Sequence, residues 1–157
     1  MKSFSIIKYL EGKKTNIYAV CLDDSTACEF DKFLNSCPEE FNEEIEWLVD
    51  TIVNIKDNIG IRDGFFKDQG IESIHRFINH KDKKASIRVF CLKWGNSVII
   101  LGGGAIKDFT ISDNAWQGHP ELSPIVRRLA KIDKYISENQ VQLEEAVENN
   151  SIFYIEG

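Results

Sequence analysis

Residues 87–101, IRVFCLKWGNSVIIL, most constrain what this chain can fold into. Two runs of β-branched, aromatic and other apolar residues meet there at Gly95-Asn96. A Gly–Asn pair between two such runs is a signal for a β-hairpin with a two-residue turn. The sequence therefore predicts two antiparallel strands, from Ser86 to Trp94 and from Ser97 to Leu101.

The second of these runs continues into Gly102-Gly103-Gly104 and then Lys107. A phosphate-binding P-loop requires GxxxxGK followed by Ser or Thr, between a strand and a helix. Here Asp108 follows the lysine, and the next residues are β-prone. A GxGxxG dinucleotide motif also fails, because Ala105 and Ile106 follow the third glycine. We interpret the glycines as a bulge or sharp bend where the chain leaves the sheet.

Strand and helix patterns flank this hairpin. A capping box at Thr26 and an apolar stripe between Pro38 and Gly60 predict a helical hairpin. The tail, residues 151–157, either packs on the protein or adds an edge strand. The other predicted elements are strands over 3–10, 16–22 and 71–78, a loop over 61–70, a helix from 119 and an amphipathic stretch over 141–147. This order predicts an α+β fold with a mostly antiparallel sheet.

The chain of 157 residues has the length of one domain. No apolar stretch approaches the ~18 residues of a membrane span, and the first residues do not resemble a signal peptide. The four cysteines form no CxxC pair, which favours reduced thiols in a cytoplasmic protein. We expect Cys21, Cys28 and Cys91 to be small core residues.

The formal net charge of −6 conceals an uneven distribution. Residues 1–50 carry 5 Lys and Arg against 11 Asp and Glu, residues 51–110 carry 10 against 6, and residues 111–157 carry 4 against 8. The cations of the basic middle that we consider as candidates are Lys67, Arg76, Lys81, Lys83, Lys84, Arg88, Lys93 and Lys107. They form either an ordinary exposed sheet face or a basic face that grips a phosphodiester. Neighbouring aromatic residues either stack on bases or pack in the core: Phe65, Phe66, Phe77 and Trp94.

Other catalytic patterns are weak. His75 and His80 lie five residues apart, which is not a zinc-binding spacing, and we expect no metal. No serine or cysteine stands in a recognisable nucleophile motif. The acidic run EEFNEEIE, residues 39–46, is typical of a solvated helix face with its acids near the helix N-terminus.

The segments IESIHRFI and SIRVFCLKWGNSVIILGGGAIK resemble the RelE/ParE toxin superfamily, especially its HigB-like and phage-derived members. Arg76 and Arg88 fall on the family's two strand arginines, and Lys107 falls on the first lysine after its last strand. HPELSPIVRRLAKI loosely resembles the start of a later helix in the family. The resemblance covers roughly residues 16–136.

The resemblance implies one RelE-like domain over residues 1–157, with a core over about 16–110 and a C-terminal helical extension over about 119–150. It implies a helical hairpin packed on a curved sheet, preceded by an extra N-terminal strand. It further implies the toxin component of a type II toxin–antitoxin system. Such a toxin is a metal-independent mRNA endoribonuclease that acts on translated mRNA at the ribosome and is neutralised by a helix-turn-helix antitoxin, without a cofactor.

By this resemblance, Arg76, Arg88 and Lys107 hold the phosphate and stabilise the transition state. We add the hypothesis that His75 or His80 acts as acid or base, because histidine titrates near neutral pH. The predicted RNA-binding residues are Lys67, His80, Lys83, Lys84 and Lys93.

Two alternatives stay open. The chain is acidic and has Asp108 where the family has its second lysine. A non-catalytic interaction module on the same fold and a ParE-like toxin directed against gyrase both fit these departures.

Overall fold

The computed structural model describes residues 2–78, 85–108 and 116–156. It has seven strands in one sheet, ordered β3-β4-β5-β6-β2-β1-β7. The strands are β1 (Lys2–Leu10), β2 (Ile17–Leu22), β3 (Phe66–Asp68), β4 (Ile74–Phe77), β5 (Ala85–Trp94), β6 (Val98–Asp108) and β7 (Phe153–Ile155). The α-helices are α1 (Glu29–Ser36), α2 (Asn42–Asn54), α3 (Ser123–Glu138) and α4 (Leu143–Glu148). Strands β2 and β6 pair in parallel and the other paired strands are antiparallel, so the predicted α+β class is confirmed.

The predicted hairpin is present, but its second strand is longer than expected. Trp94 pairs with Val98, so the turn has three residues rather than two. The prediction that the glycine run leaves the sheet is wrong, because β6 continues through it and Lys107 pairs with Ser86. The predicted bulge is confirmed, since the register shifts opposite the glycines, between Val89 and Cys91.

Two of these glycines are closely packed. A Cβ atom on Gly102 would lie 2.9 Å from Cδ2 of Leu129, and one on Gly104 would lie 2.8 Å from the backbone oxygen of Arg88. The first contact is with the end of a flexible side chain, which can shift at little cost, whereas the second is with the backbone of the paired strand and excludes a Cβ atom. Strand β6 therefore requires glycine at position 104 to pass this close to β5.

Helices cover both faces of the sheet. The α2 face carries α1 and α2, and the α3 face carries α3 and α4. Along β5 the side chains alternate between these faces, as strand geometry requires. The α2-face core includes Phe30, Phe33, Leu48, Ile52, Ile87, Val89 and Cys91. The α3-face core includes Phe90, Leu92, Ile100, Val126, Leu129, Ile132 and Ile136.

Three local predictions change. The 61–70 segment is not all loop, because Phe66 is buried and pairs with Phe77, which adds β3 at one edge of the sheet. The α2 helix ends at Asn54 and a π-helical turn, Ile55–Ile59, leads to the predicted stop at Gly60. The tail adds an edge strand, since β7 pairs with β1.

The predicted core cysteines are confirmed, since Cys21, Cys28 and Cys91 are buried free thiols. Among the described helices, none has the length and apolar character needed to cross a membrane.

Candidate functional site

Three cations lie on one face of three neighbouring strands. Arg76 is on β4, Arg88 on β5 and Lys107 on β6, and we call them the cation trio. Arg88 pairs with Ala105, and Lys107 pairs with Ser86 two positions further along the same two strands. Strand alternation gives all three side chains the parity of the α3 face, although Ser86, which has the same parity as Arg88, contacts Glu44 of α2 near the start of β5. Residues diagonal to one another on adjacent strands have Cβ atoms within about 7–8 Å, so Arg88 and Lys107 are neighbours.

The trio is largely shielded from solvent. Arg88 is 9% exposed and Lys107 is 3% exposed, while Arg76 is half-buried. Nη1 of Arg88 donates to the backbone oxygen of Ile87 at 3.1 Å. Nη1 of Arg76 reaches the backbone oxygen of Phe77 at 3.4 Å. The Arg76 contact is long for a hydrogen bond and uses one of the five N–H donors of its guanidinium.

Burial and mutual repulsion perturb the two arginines. Burial lowers the pKa of Arg88 to about 10, and the charge of Arg76 adds to this effect, while Glu44 opposes it. Burial also lowers the pKa of Arg76. Both groups still carry a positive charge at neutral pH. The fold thus holds two like charges close together where solvent is limited, and the Glu44 carboxylate offsets part of their repulsion.

Glu44 and Ser86 belong to this site, and the sequence analysis missed both. The Ser86 hydroxyl donates to the Glu44 carboxylate, and the two residues are 0% and 5% exposed. The interpretation of residues 39–46 as a wholly solvated face is therefore wrong at Glu44. The sequence could have indicated this burial, because Glu44 lies three residues after Phe41 and four before Leu48, on the apolar stripe.

His75 and Lys93 lie on the opposite, α2 face of the sheet. His75 pairs with Cys91, and its ring centroid is 6.5 Å from that of Phe66. Nζ of Lys93 is 2.7 Å from Oδ1 of Asp63, and this hydrogen bond lowers the pKa of the Asp63 carboxyl. The structure does not bring these two residues together with the cation trio.

The remaining predicted site residues divide into two groups. Lys67 is exposed on edge strand β3 and pairs with Arg76, so it shares the α3 face with the trio. His80, Lys83 and Lys84 lie outside the described residues, as does Lys81, and their roles stay predictions.

The aromatic neighbours of these cations pack inside the protein. Phe66 and Phe77 are buried in the α2-face core, and Phe65 packs against it. Nε1 of Trp94 donates to Oδ1 of Asp133 at 2.9 Å. Core packing, rather than base stacking, therefore accounts for the positions of these rings.

The arrangement is suited to binding an anion through guanidinium and ammonium groups. Within residues 2–78, 85–108 and 116–156, no group of three or more His, Cys, Asp or Glu residues is placed to hold a metal ion. Comparison of the chain with protein-family models, with curated proteins and with solved structures finds no match.

Proposed function

We propose that this chain is the toxin component of a type II toxin–antitoxin pair and cleaves mRNA in the manner of RelE/HigB-like endoribonucleases. The supporting observation is that Arg76, Arg88 and Lys107 share one face of three adjacent strands. In this proposal the bound anion is an RNA phosphodiester. Two guanidinium forks and one ammonium group offer donors in several directions around a single phosphate.

In the proposed reaction, the ribose 2′-hydroxyl attacks the adjacent phosphorus. The 2′-oxygen–phosphorus bond forms, the bond from phosphorus to the 5′-oxygen of the next nucleotide breaks, and a 2′,3′-cyclic phosphate remains. A base accepts the 2′-hydroxyl proton and an acid protonates the departing 5′-oxygen. Negative charge grows on the phosphoryl oxygens in the transition state, and the cation trio stabilises it most strongly where water is excluded.

Glu44 would position the arginines in this scheme. Its carboxylate accepts the Ser86 hydroxyl and partly offsets the charge of Arg88, so it holds the site together without an RNA ligand. Exposed Lys67 would contact the RNA backbone at the sheet edge. His75 faces away from the trio, so the acid–base hypothesis now rests on His80 alone.

The partners follow from this proposal. Translated mRNA at the ribosome is the substrate, and a small helix-turn-helix antitoxin covers the toxin before it acts. The proposed reaction uses no metal and no cofactor, because charge stabilisation comes from the three side chains.

Two buried lysines on opposite faces of the sheet make a matched test. Lys107 is 3% exposed and Lys93 is 7% exposed, but only Lys107 belongs to the trio. We expect induced wild-type protein to arrest growth and to cleave reporter mRNA in a translation extract. Lys107→Met should slow this cleavage by about 10²–10³-fold, the usual cost of losing one group that stabilises an oxyanion. Lys93→Met should retain cleavage.

Half-buried Arg76 supplies a second variant, Arg76→Gln, in case Lys107→Met fails to fold. Circular dichroism of each purified variant establishes that it is folded. Equal cleavage by Lys107→Met, Arg76→Gln and the wild type would contradict the proposal.

Two other results would each indicate a different function. A stable partner complex with no RNA cleavage by the wild type would identify an interaction module, and the burial of Arg88 and Lys107 favours this alternative. Intact mRNA together with DNA damage would identify a gyrase-directed toxin.

A further inference from the structure

Among the described strands, β2 and β6 form the one parallel pair, and a crevice lies beside it. Strands β2 and β6 pair from Ile17 with Ile99 to Ala19 with Leu101, and their pairing ends there. Beyond that point, β2 leads to α1 on the α2 face, while β6 leads to α3 on the opposite face. Ligands commonly bind where the helices that follow neighbouring parallel strands go to opposite faces of a sheet. Here the opening lies beside the middle of β6, because β6 continues past the glycines to Asp108.

A cavity of about 300 Å³ occupies this place, between α1 and α3. Its walls are mainly apolar and include Leu22, Phe33 and Leu129. Its polar side chains include Glu29, Lys32 and Arg128, and Gly102–Gly104 line it from the sheet. This volume is at the lower end of the ~300–1,000 Å³ typical of small-molecule sites.

Gly103 keeps the cavity open. A Cβ atom on Gly103 would meet Cβ of Glu29 at 3.6 Å and Cγ2 of Ile125 at 3.8 Å, which are ordinary contact distances. Both neighbours line the cavity. A longer side chain at Gly103 would therefore extend between them into the open space.

The charges of the lining leave one cation uncompensated. Nζ of Lys32 lies 3.2 Å from Oε2 of Glu29, so these two charges offset each other. Arg128 is half-buried, and within the described part of the chain its guanidinium has neither a hydrogen bond nor an ion pair. A half-buried guanidinium beside an apolar wall favours a ligand that brings a carboxylate and an apolar body.

We propose that this cavity binds a small carboxylate with an apolar body. Its carboxylate pairs with Arg128, and its hydrocarbon part packs over the glycines against Phe33 and Leu129. This site goes beyond the proposed nuclease function, because no member of the cation trio lines the cavity.

Three six-carbon probes that differ only in the head group test the proposal: hexanoate, hexanol and hexylamine. Each is titrated into the ¹⁵N-labelled full chain, and the backbone amide signals of Gly102, Gly103 and Gly104 report occupancy. We expect hexanoate to shift these signals at lower concentration than hexanol, and hexylamine to bind least.

Three variants locate the binding site. Arg128→Gln should weaken hexanoate binding by about tenfold while leaving hexanol unchanged, since a hydrogen bond to a charged group contributes about that factor. Gly103→Leu should abolish binding of both probes by filling the space. Arg127→Gln is the matched control, because Arg127 packs over Trp116 at 5.2 Å and does not line the cavity.

Several results would overturn the proposal: no hexanoate-dependent shift of the glycine amides, equal shifts with hexylamine, or undiminished binding by Gly103→Leu. Equal losses in Arg127→Gln and Arg128→Gln would also overturn it, because they would indicate a diffuse surface charge effect. Dispersed amide spectra establish that each variant is folded. RNA cleavage is measured in a separate experiment, so a result that contradicts one proposal does not contradict the other.

Discussion

Adjacent glycines in β6 should respond oppositely to the same small substitution. A Cβ atom on Gly104 would lie 2.8 Å from the backbone oxygen of Arg88 and 3.1 Å from Cδ2 of Phe33. The first neighbour belongs to the paired strand β5 and cannot move without breaking the sheet. A Cβ atom on Gly103 meets its nearest neighbour only at 3.6 Å. Gly104→Ala is therefore the perturbing variant and Gly103→Ala its matched control.

The magnitudes follow from these distances. Overpacking a methyl group against rigid neighbours costs about 1–3 kcal/mol, which we expect to be the loss for Gly104→Ala. Gly103→Ala should be neutral or stabilising by about 0.4–1 kcal/mol, because alanine restricts the unfolded chain without straining the strand. For a chain of this length, 1 kcal/mol moves the melting temperature by about 2–4 °C, so the two variants should be clearly separated.

Urea unfolding followed by far-ultraviolet circular dichroism gives the free energy of unfolding for each variant, and thermal melts give an independent ranking. An unchanged denaturant slope would show that the difference is one of stability rather than of denatured-state compactness. Equal stability of the two variants, within about 0.5 kcal/mol, would refute the claim that close approach to Arg88 requires glycine at position 104.

Two further predictions concern hydrogen bonds that join elements distant in sequence. The Tyr18 hydroxyl donates a hydrogen bond to Glu144. Burial, and to a smaller extent this hydrogen bond, raises the pKa of Tyr18 from 10.0 to about 12. The folded state keeps that proton longer than the unfolded state, so its stabilisation is complete below pH 10.0 and is lost as the pH rises to about 12. Burial and the hydrogen bond to Asp31 also raise the pKa of Tyr9. Titration of tyrosinate absorbance at 295 nm should therefore lose the group that ionises at about pH 12 when Tyr18→Phe is introduced, and an unchanged curve would contradict this. The carboxylate of buried Asp133 accepts hydrogen bonds from the Ser73 amide at 2.8 Å and from the Trp94 indole at 2.9 Å. Asp133→Asn should leave one of these donors unpaired and lower the free energy of unfolding by about 1–3 kcal/mol. A variant as stable as the wild type in urea unfolding would refute this.

Local periodicity explains the part of the fold that the sequence predicted. The alternation in 87–101 and the apolar stripe of α2 are patterns within one element, so they are visible without knowledge of its neighbours. Strand alternation likewise separates Arg88 from Ile87 and Val89, which both lie in the α2-face core. The short strand β3 escaped prediction, because three residues contain too little periodicity to distinguish a strand from a loop.

The candidate site was predictable in its composition but not in its surroundings. Arg76, Arg88 and Lys107 were singled out from the sequence, and the register of β4, β5 and β6 brings them to one face. The stripe position of Glu44 indicates burial, but its contact with Ser86 depends on how α2 lies against β5, which no pattern in residues 39–46 specifies. His75 was assigned from its titration range alone, and strand parity sends its side chain to the opposite face.

The sequence by itself determined the element types, the hairpin and the charge of the middle segment, because these depend on residues close together in the chain. Only the tertiary structure decided that β2 and β6 pair in parallel, because these two strands lie far apart in the chain. That pairing sends α1 and α3 to opposite faces and opens the crevice above the glycines. Pairing between strands that are distant in the chain depends on how both faces of the sheet pack, and no single stretch of sequence specifies it.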